Sequence, residues 1–222
     1  MGFDLYRENY RNFPELLNFL KDLGVKAIGV SRLVPIGKGK TLEILGPKEL
    51  HAFYSFVMNK KRELEKEGIH LSTHCSDAVW FIEDPVYETH GCSAGYDSFS
   101  ILSNGDVVPC RRLPVKVGNV LDRSLIDIWY TSDFLWKLRN KGNIAACKNC
   151  ELFARCFGGA RCVAYGYFNN SFAPDPQCWK LFDSLPRRTM PSAVSDNLIT
   201  FNKAYIENFN PPKKYFYEKP HA

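Results

Sequence analysis

Residues 147 to 162 read CKNCELFARCFGGARC, which places four of the chain's eight cysteines within sixteen positions. Cys147 and Cys150 form a C-x2-C pair, Cys156 follows after five residues, Cys162 after five more and Cys178 after a further fifteen. Thiolates two residues apart can face one metal because the backbone between them turns with its amides toward the sulfurs. A structural zinc site uses four cysteines and leaves the others unexplained, and buried free thiols account for one or two. Iron-sulfur clusters take four thiolates each, and seven or eight cysteines set out as pairs plus distant partners fit two clusters. The spacing favours the cluster reading.

The elements that must hold these sulfurs belong to a chain of 222 residues, 45% hydrophobic and 24% charged, enough for a sizeable core in one or two domains. No run approaches the eighteen apolar residues of a membrane span, and MGFDLYRENYRNF lacks the build of a secretory signal. The expectation is a cytoplasmic protein with no membrane partner, in which clustered cysteines stay thiols available to metal. The net charge of +5 shows no basic stripe with interleaved aromatics, so nucleic acid is not an expected partner.

Pro14 suits a first helical turn, Leu16, Leu17, Leu20 and Leu23 follow at helical spacing, and Gly24 supplies a stop. VKAIGV, residues 25 to 30, reads as a strand. The pattern repeats from Pro47 through Leu50, Phe53, Tyr54, Val57 and Leu64 to Gly68, with IHLST as the next strand. Helices alternating with short strands predict an α/β fold with a parallel sheet, although two such units are too few to close a barrel. After residue 92 the texture changes: FSILSNGDVVPC predicts a β-hairpin turning at Asn104-Gly105, and Ser124 and Ser132 predict the N-caps of two short helices. Beyond Cys178 the tail mixes prolines, aromatics and lysines, with one helix expected near residues 197 to 209.

Taken together, Cys92, Gly105 and Cys110, then Cys147-x2-Cys150-x5-Cys156, Cys162 and Cys178 closely resemble the SPASM domain. This is the auxiliary-cluster module at the C-terminus of many radical S-adenosylmethionine enzymes that modify peptides or build cofactors. VGNVLDRSLIDIWYTSDFLWKLR and CFGGARCVAYG are similar to the same family, so the resemblance runs over roughly residues 88 to 182. Residues 14 to 82 resemble the closing βα units of such an enzyme's partial (β/α) barrel, with SRLVPIGKGK similar to a loop after a late strand. The resemblance implies barrel units over 1–87, a small cysteine-rich SPASM domain with a β-hairpin and short helices over 88–184, and an extension over 185–222.

It also implies ligands. Cys147, Cys150, Cys156 and Cys178 would hold one [4Fe-4S] cluster, and Cys92, Cys110 and Cys162 the other. The family places its next cysteine at the position of Ala160, whereas this chain has Cys162, which leaves the second cluster with a shifted ligand or an open iron. Cys75 and His90 are candidate fourth ligands by sequence proximity, against a buried strand-end thiol and a solvated imidazole. Arg32, Gly37 and Gly39 are candidates for lining the cofactor's carboxylate, against a plain basic loop. Arg111 and Arg112 could raise a cluster's potential, against ordinary surface arginines, and Trp129 and Trp136 read as core.

The radical-generating C-x3-C-x2-C motif is not in this sequence, where no cysteine precedes Cys75. The expectation is therefore the C-terminal part of a radical oxidoreductase or maturase. It would not be active alone, and would use S-adenosylmethionine only with a missing or partner N-terminal half, on a peptide or a cofactor precursor. The alternative is a free-standing iron-sulfur module for electron transfer or binding, without catalysis.

Overall fold

A computed structural model describes residues 1–73 and 91–186; Cys75, His90 and the helix expected near 197 to 209 lie outside the described residues. The N-terminal part is a three-stranded parallel sheet in the order β1 (Gly2–Leu5), β2 (Ala27–Arg32), β3 (His70–Thr73), with Gly2 opposite Gly29 and Ala27 opposite His70. The sequence reading has no strand before the first helix. GFDL buries only Leu5, so it carries too little alternation to announce itself, and pairing with β2 makes it a strand.

Along β2, Ile28, Val30 and Arg32 alternate onto the buried face. That face packs with helix α1 (Phe13–Asp22), which buries Phe13, Leu17 and Leu20, and helix α2 (Pro47–Lys66), which buries Leu50, Phe53, Tyr54, Val57 and Leu64. These positions repeat at three and four residues, the spacing that gives a helix one apolar stripe. Full burial of each such side chain is worth about 1.5–3 kcal/mol. Leu23, expected on the same stripe, falls at the C-cap and is 63% exposed. Both helices end alike: Gly24 and Gly68 take positive φ, and the next amide, of Val25 or Ile69, donates to the carbonyl of Leu20 or Leu64.

The cysteine-rich part opens with an antiparallel sheet of β4 (Ser100–Ile101), β5 (Asp106–Val108) and β6 (Gly118–Asn119), the last a strand the sequence did not announce. Between β4 and β5, Gly105 takes φ +83°, and the Gly105 amide donates to the Leu102 carbonyl (2.9 Å). Helices α3 (Leu125–Thr131) and α4 (Asp133–Arg139) are capped by Ser124 and Ser132, whose hydroxyls accept from the amides of Asp127 and Leu135. The Arg139 guanidinium lies over the rings of Trp129 and Trp136, 4.1 and 4.8 Å from their centroids, which accounts for the seven-residue spacing of the two tryptophans. Helices α5 (Phe153–Cys156) and α6 (Arg161–Phe168) complete the described elements. A second apolar cluster forms here around Leu113, Leu135, Cys162 and Val163. No described helix is long and apolar enough to cross a membrane.

Candidate metal centre

Five of the seven described cysteines divide between the two cores. Cys156 is part of the cluster under the parallel sheet, and Cys178 packs against it; Cys162 is part of the second cluster, with Cys92 and Cys110 against it. None of the seven is in a disulfide.

Cys147, Cys150, Cys156 and Cys178 line one cavity of about 390 Å³, open mouth included, together with Gly158 and Asp175. Local turns aim these thiols. Cys147 ends a 3-10 turn, the Cys150 amide donates to the Cys147 carbonyl (3.1 Å), and the Phe153 amide donates to the Cys150 carbonyl (3.0 Å) before α5 brings Cys156 round. Phe157, Gly158 and Gly159 then take positive φ in succession, which reverses the chain. The Gly158 amide donates to the Cys156 sulfur, and the amides of Lys180 and Leu181 donate to that of Cys178. Amide donors at thiolates are one of the levers that set a cluster's potential.

Burial raises the thiols. It pushes Cys147 up to about 11 and Cys156 up to about 12, and it raises Cys178. A buried thiolate is costly without a cation to share its charge, so these sulfurs suit metal better than water. Among the described residues no three Cys, His, Asp or Glu side chains converge closely enough to grip a single ion. Four thiols ring one cavity nonetheless, which fits a group larger than one ion.

The second set is Cys92, Cys110 and Cys162. Burial pushes Cys162 up to about 12, and the charges of Cys92 and Cys110 raise it further while that of Arg112 lowers it. The Arg112 amide approaches the Cys110 sulfur at 3.5 Å. Cys92 opens onto a separate cavity of about 280 Å³ that Lys137, Asn140, Phe157 and Arg161 also line.

Arg32, expected near a cofactor carboxylate, is turned inward. At the end of β2 it is 1% exposed, and its Nη1 and Nη2 donate to the Asp175 carboxylate at 3.0 and 2.5 Å, with Nη1 also donating to Gln177 Oε1 at 2.9 Å. Burial alone would raise the Asp175 carboxyl, but the Arg32 guanidinium and the amides of Ala160 and Gln177 outweigh it and hold it below the usual carboxylate range. Gly37 and Gly39 sit on a 3-10 turn over Gly37–Thr41. Gly37 takes φ +51°, and a Cβ on Gly39 would stand 2.8 Å from the Val34 carbonyl, so each glycine has a backbone reason to be there. None of Arg32, Gly37 and Gly39 lines the four-thiol cavity or the cavity beside Cys92.

Sequence reading missed Asp175, Gln177 and Arg161. Asp175 accepts from the amides of Ala160 (2.9 Å) and Gln177 (3.0 Å), and Gln177 Nε2 donates to the Leu45 carbonyl (2.9 Å). One carboxylate thereby fixes the approach to Cys178, the start of α6 that carries Cys162, and the end of β2. Its only sequence signal is its place three residues before a cysteine.

Known proteins share this arrangement in part. Residues 92–151 match SPASM, an iron-sulfur cluster-binding domain. The chain resembles radical S-adenosylmethionine enzymes that carry this domain. It is 28% identical over 195 residues to the AdoMet-dependent heme synthase of Methanosarcina barkeri, covering 78% of this chain and 53% of that protein. It is 26% identical over 205 residues to the enzyme of the same name from Nitratidesulfovibrio vulgaris, covering 83% and 53%. The chain thus spans about half the length of the curated relatives it matches. Among solved structures, Streptococcus suis SuiB superposes with a TM-score of 0.55 at 18% identity over 80% of this chain and 45% of that one. A structure of anSMEcpe with AdoMet and a peptide superposes at 0.54 and 17% identity, over 94% of this chain and 58% of that one.

Proposed function

We propose that this chain is the iron-sulfur C-terminal part of a radical S-adenosylmethionine enzyme, with two auxiliary [4Fe-4S] clusters serving electron transfer or substrate binding. Cys147, Cys150, Cys156 and Cys178 hold one cluster; Cys92, Cys110 and Cys162 hold the other, with its fourth position open or filled from outside the described residues. The observation that carries this reading is the ring of four thiols, two of them from the one Cys147–Cys150 turn, around a single cavity. Such a cluster, when bound, accepts or donates one electron at a time. The chain's own residues bury the sulfurs, point amides at Cys156 and Cys178, and hold Asp175, which lines the cavity, by its pairing with Arg32.

The three-stranded parallel sheet acts as the closing part of a partial barrel. Cleavage of S-adenosylmethionine depends on a segment or partner bearing the C-x3-C-x2-C motif, which these 222 residues do not contain. The heme-synthase relatives favour a cofactor precursor over a peptide as substrate.

Iron, sulfide and zinc analysis of protein reconstituted without oxygen tests the proposal. About eight irons with equal sulfide and a broad absorbance near 400 nm support it. A single zinc without a chromophore overturns it. The same ring of thiols serves a second reading, an electron-transfer module without catalysis. Reversible one-electron reduction without S-adenosylmethionine cleavage, even beside a cell extract that supplies the missing half, separates the two.

A further inference from the structure

Two arginines are buried beside the cysteines, and they differ in what neutralises them. Arg32 has the Asp175 carboxylate. Arg161, 5% exposed, has none among the described residues: Nε donates to the Gly159 carbonyl (3.2 Å), Nη1 to those of Ser171 and Ala173 (2.9 Å each), and Nη2 to that of Gly158. Every partner is a neutral backbone carbonyl. These satisfy the guanidinium's hydrogen bonds but leave its charge in place, and arginine does not shed its proton to escape burial. A buried full charge calls for an opposite one nearby.

The nearby groups that metal binding would make anionic are the cysteine sulfurs. Arg161 acts electrostatically on Cys147 of the four-thiol set, and its side chain lines the cavity beside Cys92 of the other. It also directly precedes Cys162. The cage of carbonyls holds the cation beside members of both cysteine sets, with no carboxylate among its hydrogen-bond partners.

We propose that Arg161 is a shared counter-charge for both cysteine sets, favouring the reduced state of each cluster and so raising both reduction potentials. This rests on the cluster reading given above. A [4Fe-4S] core with four thiolates carries roughly two net negative charges, and roughly three after taking one electron from a donor such as dithionite. A fixed buried cation stabilises the more negative state more. Arg161 is thus a positioning and tuning residue that touches no substrate.

The test is an EPR-monitored redox titration with dithionite on the reconstituted chain and on Arg161→Gln, with iron content measured on both. The glutamine variant, at equal iron, is expected to show an oxidised-to-reduced ratio about tenfold higher at a fixed potential for both clusters, which is about 59 mV for a one-electron couple. Either cluster keeping its original potential at equal iron overturns the proposal. Should Arg161→Gln fail to hold iron, Arg161→Lys decides: clusters retained near the original potentials support a role for charge, and loss of iron there too overturns it. Wild-type protein without iron would instead overturn the cluster reading itself.

Discussion

The Arg32 guanidinium, at the end of a sheet strand, and the Asp175 carboxylate, three residues before Cys178, form a bidentate pair 143 positions apart in sequence, and both side chains are 1% exposed. The pair ties the parallel sheet to the loop that delivers a candidate cluster ligand. Removing one partner strands the other charge in the interior. Asp175→Asn is expected to cost about 3–5 kcal/mol, which lowers Tm by roughly 6–20 °C for a domain of this size. It should also reduce the iron bound, because the amides of Ala160 and Gln177 lose their acceptor. A melt within 2 °C of wild type would contradict this.

The diglycine before Ala160 is under a steric constraint that can be separated from its backbone conformation. Gly159 takes φ +79°, and a Cβ there would stand 2.5 Å from both Cβ and Oδ2 of Asp175, whereas Gly24, at φ +72°, has nothing within 4 Å. Gly24→Ala is expected to cost about 1 kcal/mol from the left-handed backbone alone. Gly159→Ala should cost clearly more and lower iron content as Asp175 is displaced. Equal losses in denaturant melts would show that the contact with Asp175 has no consequence.

The division of cysteines predicts independent losses. Cys147→Ala and Cys162→Ala should each remove about half of the bound iron, and the double variant nearly all of it. Iron analysis with EPR of the reduced proteins measures this. A single substitution that empties both centres would mean that the sulfurs act as one site.

Burial of the thiols makes the cluster-free protein sensitive to base. Cys147, Cys156 and Cys162 are pushed up to about 11, 12 and 12, so the folded chain holds their protons more tightly than the unfolded chain does. Their contribution to stability is complete below the ordinary thiol value near 8.5 and is lost as pH rises toward the raised values. Asp175 has the opposite sign: it is held low, so its contribution is complete above about pH 4 and is lost as pH falls through its depressed value. Urea melts of cluster-free protein should therefore show a plateau between about pH 4 and 8.5, falling on both sides. Rising stability from pH 9 to 11 would refute the alkaline limb.

The sequence by itself determined the sulfur inventory, the two helix-strand units and the serine caps, since each depends on spacing within a few residues. Leu50, Phe53, Tyr54 and Val57 mark a buried helical face wherever the helix packs, and Cys147-x2-Cys150 brings two thiols to one turn. β1 escaped notice because four residues with one buried side chain carry no period. Tertiary structure alone decided what the charged residues do. Arg32 read as a residue for a cofactor's carboxylate and has a carboxylate of its own chain, while Arg161, unremarked in the sequence, is a buried cation held only by carbonyls. The reason is physical: helix and strand periods are local properties of the chain. The worth of a charge depends on the distance and burial of its partner, and folding alone sets these across more than a hundred residues.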